Sequence, residues 1–356
     1  MPPPTTAPLP ARCTEREEFV RALHHPVGDP DNWDRVCATF PAAATAYYLS
    51  LANACDPGDP ILRQCVPDEA ELAHPEAPTD PLAERRDSPV PGLVHRYPDR
   101  VLLVVTNTCA VHCRHCLRKR IWNSGESETL TTDGLERAVA YLLRRTEVRE
   151  ALLSGGDPLT LADAALEHYL ARLRAIPHLE ILRVGTRMPV VLPDRITDRL
   201  CRVFAAYHPV WVATQFNHPA ELTAAAGRAC GRLLRHGVPV VNQTVLLRGV
   251  NDAADTLESL FRGLLRFGVK PYYLFHGDPV GGTLHFRTGV RAGLEIMDRL
   301  RHRLSGLALP TFALDLPGGA GKVVLTPETP VRDAPGGVEL DLADGTTVHY
   351  PDHDVH

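Results

Sequence analysis

From residue 101 onward, short apolar or β-branched runs alternate with amphipathic stretches, and that rhythm limits the folds open to the chain. Six runs, at 101–106, 151–153, 179–184, 210–216, 238–247 and 271–275, read as strands. Each leads into a helical stretch, the helices falling near 133–142, 162–175, 195–207, 219–237, 252–267 and 289–303. Asp133 and Glu136 stand at capping-box spacing for the first helix, and Pro219 takes a favoured opening position in the fourth. Regular β–α alternation means a parallel sheet with helices outside it. Six units are too few for a closed eight-stranded barrel. The expected fold class is therefore α/β, a partial (βα)6 barrel of TIM type with its chemistry at the strand C-terminal ends. A flat doubly wound sheet is the alternative. Residues 311–316 read as a closing strand.

The flanks read differently. Residues 1–12 are proline-rich and are expected to lack regular structure. Residues 13–90 read as a helical N-terminal extension, with a patch at 32–55 broken by Pro-Gly-Asp-Pro at 57–60, followed by a Pro-, Asp- and Glu-rich linker at 71–90. The barrel with its lysine loop spans 91–322. Short apolar runs at 323–325, 338–340 and 346–350 suggest a small β appendage over 323–356. His349, His353 and His356 in that tail read as solvated.

The formal charge of −5, with no block of like charge, argues against nucleic acid as the main partner. No apolar run reaches about 18 residues, so no membrane-spanning helix is expected. The N-terminus lacks the basic and apolar regions of a signal peptide. Nine cysteines with one tight cluster suit a reducing cytoplasm, and the scattered Cys13, Cys37, Cys55 and Cys65 read as inert.

That cluster is Cys109, Cys113 and Cys116, spaced C-x3-C-x2-C on the loop leaving the 101–106 strand. Thiolates so close in sequence converge on one small, soft, cationic object, and an iron–sulfur cluster is the natural one. Three ligands leave one iron of a [4Fe–4S] cluster open to a substrate or cofactor. Zinc would need a fourth ligand, for which only His112 and His115, crowded inside the loop, are at hand. A second outlier is 315–322 (DLPGGAGK). It departs from the phosphate-binding P-loop at Leu316 and Val323. Lys322 follows a glycine turn that allows close backbone approach to a ligand, and a lysine there could hold pyridoxal 5′-phosphate (PLP).

Taken together, the two motifs resemble the lysine 2,3-aminomutase family of radical S-adenosylmethionine (SAM), PLP-dependent enzymes. The resemblance runs over about residues 45–322, through 87–101 (DSPVPGLVHRYPDRV), the cysteine loop, 152–157 (LLSGGD), 190–193, 216–219 (FNHP), 242–252 (NQTVLLRGVND), 271–273, 285–288 and the lysine loop. It implies that Cys109, Cys113 and Cys116 hold the [4Fe–4S] cluster and that Gly155, Gly156 and Asp157 support the methionyl amine of SAM. It makes Lys322 the PLP lysine, with Arg96, Tyr97, Arg100 and Gln243 near PLP. Arg118 would clamp the substrate carboxylate, for which a guanidinium fork is suited. Asp278 and Asp315 would hold the substrate's terminal ammonium, since a buried ammonium needs counter-charge and glutamate would be repelled there.

The implied reaction is radical transfer of the α-amino group of L-lysine to C3, giving β-lysine. An arginine 2,3-aminomutase, or a different outcome of the same radical such as deamination or desaturation, is the alternative. A non-catalytic iron–sulfur or zinc protein would have no need of Lys322, Arg118 and the aspartate pair. The resemblance also implies an electron donor such as flavodoxin or ferredoxin, and a homo-oligomer. Departures from the family pattern are Gln215 where a histidine helps hold SAM, His276-Gly277 before Asp278, and Ala320 in the lysine loop. No cysteine follows Cys230, so the zinc-binding C-terminal segment of some relatives is missing.

Overall fold

The structure, a computed structural model, describes residues 10–122, 128–342 and 344–352. Two short strands, β1 (Arg12–Cys13) and β2 (Ala44–Thr45), pair at the N-terminus. The main sheet has nine strands: β3 (Leu93–Tyr97), β4 (Arg100–Thr106), β5 (Glu150–Gly155), β6 (Ile181–Gly185), β7 (Val210–Thr214), β8 (Val240–Val245), β9 (Lys270–Phe275), β10 (Thr311–Leu316) and β11 (Gly321–Val324). Strands β4 to β10 run parallel, and β3 and β11 close the two edges antiparallel. A separate meander of β12 (Val331–Ala334), β13 (Gly337–Asp341) and β14 (Thr347–Tyr350) follows.

Order along the sheet is order along the chain. That excludes the doubly wound alternative, in which strand order reverses at a switch point. The sheet curls until its edges face each other, and Arg96 of β3 reaches Asp315 of β10 at 3.1 Å. The remaining gap is filled by residues 78–88, which act as a strap. Gly318 N donates to Pro81 O (2.7 Å) and Arg86 Nη2 to Gly318 O (2.9 Å). The result is a nearly closed partial barrel.

The helices pack outside by their apolar faces. Thr132–Leu143 buries Leu135, Ala138, Val139 and Leu142, one side of a 3.6-residue period. Its cap is Thr131, which accepts from Gly134 N; Asp133 lies in the first turn, so the Asp133–Glu136 box does not form. Pro219 opens only a short 3-10 turn, and the helix behind it, Ala224–Arg235, starts after the Thr223 cap. Asp59-Pro60, expected to break helix, instead caps Pro60–Cys65, because the Asp59 carboxylate accepts from Ile61 N and Leu62 N.

Three further expectations are corrected. Residues 1–9 of the tail lie outside the described residues, but its end, Arg12, is paired with Thr45. Residues 323–324 belong to β11 rather than to the C-terminal appendage. The acidic 71–90 segment is more than a linker, because two of its carboxylates are built into the core. Glu71 and Glu84 are 2% and 5% exposed, each held by two cations. His349 is exposed, whereas His353 and His356 lie outside the described residues. No helix among the described residues is long and apolar enough to cross a membrane.

Candidate active site

The strand C-terminal ends open into one cavity of about 460 Å³. All fifteen candidate residues line it: Cys109, Cys113, Cys116, Gly155, Gly156, Asp157, Gln215, Arg96, Tyr97, Arg100, Gln243, Lys322, Arg118, Asp278 and Asp315. Residues more than 200 positions apart meet there because most of them follow, or sit near the C-terminal end of, a barrel strand; Arg100, at the start of β4, is an exception.

The cysteine loop leaves β4 and is braced from the N-terminal extension. His112 N donates to Ala43 O (2.8 Å) and Arg114 N to Gln64 O (2.9 Å). Arg114 is wholly buried. Its Nε and Nη2 donate to Glu71 (2.8 and 2.6 Å), and its terminal nitrogens also reach the carbonyls of Pro41 and Phe40. Gly155 and Gly156 pack against the loop so closely that a Cβ at either would overlap the Thr106 or Thr108 carbonyl oxygen. Asp157 braces the same corner. Its carboxylate accepts from Thr186 Oγ1, Arg187 N and Leu159 N, so it is committed inside the protein and does not present its charge to the cavity.

All nine cysteines are free thiols. Burial and the neighbouring thiol groups push Cys116 up to about 11 and Cys109 well above its usual value, so both stay protonated until a cation replaces the proton. The histidines that zinc would need are engaged elsewhere. His112 Nδ1 donates to Pro41 O (2.9 Å) and its ring stacks on Trp122, while His115 Nε2 accepts from Gln215 Nε2 (3.2 Å) and Asn217 Nδ2 (3.3 Å). No group of three His, Cys, Asp or Glu among the described residues is arranged to hold a single metal ion. A polynuclear cluster, whose irons are taken by separate thiolates, fits the donor set better. The buried His115 Nδ1, with no partner among the described residues, is a further donor beside it.

At the other end, Asp315 and Lys322 face each other directly across the β10–β11 pair. Lys322 Nζ lies 2.8 Å from Asp315 Oδ2 and 3.9 Å over the Phe275 ring. Burial lowers its pKa despite the pull of Asp315, as suits a nucleophilic amine. Asp315 also accepts from Arg96 Nη2 (3.1 Å) and Tyr97 Oη (3.3 Å), and Arg100 stacks on the Tyr97 ring at 4.1 Å. Arg96 Nη1 is buried without a partner among the described residues, the kind of donor an anionic group takes. Asp278 is raised to about 7 by burial and by Asp315, against the cations Lys322, Arg287 and Arg96. Its loop is fixed by the C-terminal meander. His276 Nε2 donates to Thr288 O (2.8 Å), so Nδ1 accepts from Tyr350 Oη (3.0 Å), and Arg287 spans Gly277 O and Pro351 O.

Arg118 holds a carboxylate already. Its Nε and Nη2 grip Glu84 of the strap (2.7–3.1 Å) and Nη1 reaches Ser154 Oγ (3.3 Å). Burial opposes ionisation of Glu84, but Arg118 and Arg120 prevail and hold it down to about 2. Glu84 and Arg187 line the cavity, and sequence reasoning missed both. Only Arg187, a charge entering the apolar run 188–192, carried a visible signal.

Residues 103–260 match the radical SAM superfamily. The L-lysine 2,3-aminomutase of Fusobacterium nucleatum is 45% identical over 90% of this chain and 76% of its own length. That of Clostridium subterminale is 46% identical over 86% and 74%. The chain belongs to the lysine 2,3-aminomutase family. A glutamate 2,3-aminomutase of Clostridioides difficile is also similar, at 41% identity over 88% of this chain and 74% of the relative. As a family member the chain is an isomerase of the radical SAM type, working on an amino acid with a [4Fe–4S] cluster, SAM and PLP. The cavity fits that set: three thiols at one end, a depressed lysine amine and an unpartnered guanidinium nitrogen at the other.

Proposed function

We propose that this aminomutase acts on L-lysine, moving its α-amino group to C3 to give β-lysine. The observation that carries this is the Asp278–Asp315 pair in the cavity wall, with the Lys322 ammonium 2.8 Å from Asp315. The chain's own lysine shows that an alkylammonium fits against that carboxylate. The Asp278–Asp315 pair would balance the terminal ammonium of a bound lysine in the same way. A glutamate side chain would bring a third carboxylate to the pair and be repelled.

Cys109, Cys113 and Cys116 hold the cluster, and Lys322 holds PLP, with Arg96 Nη1 free to donate to it. When bound, these groups supply the electron that splits SAM and a ring able to carry an unpaired electron while the nitrogen moves. The protein's own residues do the positioning. Glu84 grips the Nε–Nη2 edge of Arg118, and Nη1 turns toward Ser154 and the cavity, where the substrate carboxylate binds. The strap and the N-terminal extension exclude water and oxygen from the radicals. The electron comes from a flavodoxin- or ferredoxin-type donor in a reducing cytoplasm, a reading supported by nine unpaired thiols.

The test is an anaerobic assay of the reconstituted enzyme with PLP, SAM and a reductant, offering lysine, arginine and glutamate separately. Chromatography with mass detection is expected to show a new isomer of unchanged mass from lysine alone. An isomer from arginine or glutamate and none from lysine would overturn the substrate assignment.

A further inference from the structure

Arg187 follows β6 and sits buried in the cavity wall behind the cysteine loop. Its backbone N is held by Asp157 Oδ2 at 2.8 Å. Three acceptors converge on Nη2: Tyr48 Oη (3.0 Å), Gln64 Oε1 (2.6 Å) and Glu221 Oε1 (2.7 Å). Nε is turned toward Gln215 O at 3.4 Å. The acceptors are themselves fixed. Tyr48 Oη and Gln64 Nε2 donate to Glu221 Oε1 (2.8 and 3.3 Å), while the Asn217 and His218 amides donate to its Oε2 (2.6 and 3.1 Å). The guanidinium therefore cannot turn, and its remaining nitrogen, Nη1, is aimed at Cys113 Sγ, 2.9 Å away.

None of these partners is needed merely to bury an arginine. A single carboxylate would serve. The arrangement fixes which nitrogen meets the sulfur. We propose that Arg187 is a positioning residue that sets the reduction potential of the iron–sulfur cluster through a charged N–H···S bond to Cys113. The proposal rests on Cys113 being a cluster ligand.

The physical argument is one of charge. Reduction adds one negative charge to a cluster. A fixed cation at a ligand sulfur, in surroundings that screen poorly, stabilises that added charge, and the hydrogen bond draws density from the thiolate. Both effects raise the potential and make the cluster easier to reduce by a biological donor. Glu221 opposes this, but it bonds Nη2, the other terminal nitrogen, and so lies farther from the sulfur. Lysine at 187 would keep the charge but lose the fork that aims it.

The test uses the full chain as wild type, R187K and R187M, reconstituted anaerobically, with iron and sulfide measured per chain. The readout is the midpoint potential of the reduced cluster's electron paramagnetic resonance signal, taken without SAM or amino acid. R187M is expected to titrate at more negative potential than wild type, with R187K between them. If R187M does not hold a cluster, R187K against wild type decides. A more negative R187K supports the proposal and an unchanged one overturns it. Equal potentials in fully loaded proteins overturn it, and if SAM binding is weakened as well, Arg187 belongs to SAM recognition instead. A wild-type protein with no reducible cluster overturns the cofactor assignment, and this proposal with it.

Discussion

Asp278 and Asp315 are the same residue type in one cavity, yet their surroundings give them different work. Asp315 is tied to Arg96, Tyr97 and Lys322, while burial and Asp315 itself raise Asp278 to about 7. A carboxyl so raised is neutral below that pH and charged above it, and only the charged form balances a substrate ammonium. The KM for lysine is therefore expected to rise as pH falls through about 7 and to level off above it. D278N should abolish that dependence and lower kcat/KM for lysine by roughly 30-fold or more, the cost of about 2 kcal/mol for a buried charge left without its partner. Initial rates from pH 6 to 9 check both. A D278N enzyme that keeps the wild-type pH profile would remove Asp278 from the substrate site. The two aspartates and Lys322 were visible in the sequence because each lies in or beside a short motif. Glu84 was not, and Arg187 showed only as a charge entering an apolar run, because the meaning of both depends on partners such as Arg118, Cys113 and Tyr48, 34 to 139 positions away.

The strap at residues 78–88 shows how far composition can mislead about an element. Rich in Pro, Asp and Glu, it reads as a linker, yet it seals the barrel edge and carries the buried Glu84. Acidic residues look alike in sequence whether they meet water or a guanidinium. E84Q keeps the shape of the side chain and removes its charge, leaving the edge of Arg118 that it grips free to swing. The expected result is a lysine KM raised by roughly tenfold with kcat changed less, and iron content unchanged, since Glu84 touches no cysteine; a tenfold change corresponds to about 1.4 kcal/mol, near the lower end of what one charge-assisted bond contributes. Steady-state kinetics on the loaded enzyme decide this, and an unaltered KM would make the Glu84 pairs merely structural. The strand β4 was legible because most of its positions are buried, giving the continuous apolar run at 101–106. The edge strands β3 and β11 were not, since each is buried at only some positions and has one paired side.

At the scale of the whole molecule, the N-terminal extension braces the cysteine loop from outside the barrel. Glu71 sits between Arg114 and Lys119, on either side of Cys116, and burial works against its ionisation until those two cations lower its pKa. Removing it leaves two buried cations uncompensated. E71A is expected to cost about 3–5 kcal/mol of stability. Iron loading should fall with it, because the cysteine loop loses its brace. Thermal melting and iron content of apo and loaded protein measure both, and an E71A protein with wild-type melting and full iron would contradict this. The β–α alternation of the barrel and the cysteine loop were legible in the sequence, but this clamp was not, since it joins residues 43 and 48 positions apart through side chains alone. The central claim is that this site moves the nitrogen of lysine within one molecule. The most direct measurement is nitrogen NMR of the products of anaerobic turnover of L-lysine labelled with ¹⁵N at the α-amino group. The label is expected on C3 of β-lysine, with the side-chain nitrogen unlabelled. Label released as ammonium, or left wholly on C2 while SAM is consumed, would contradict it.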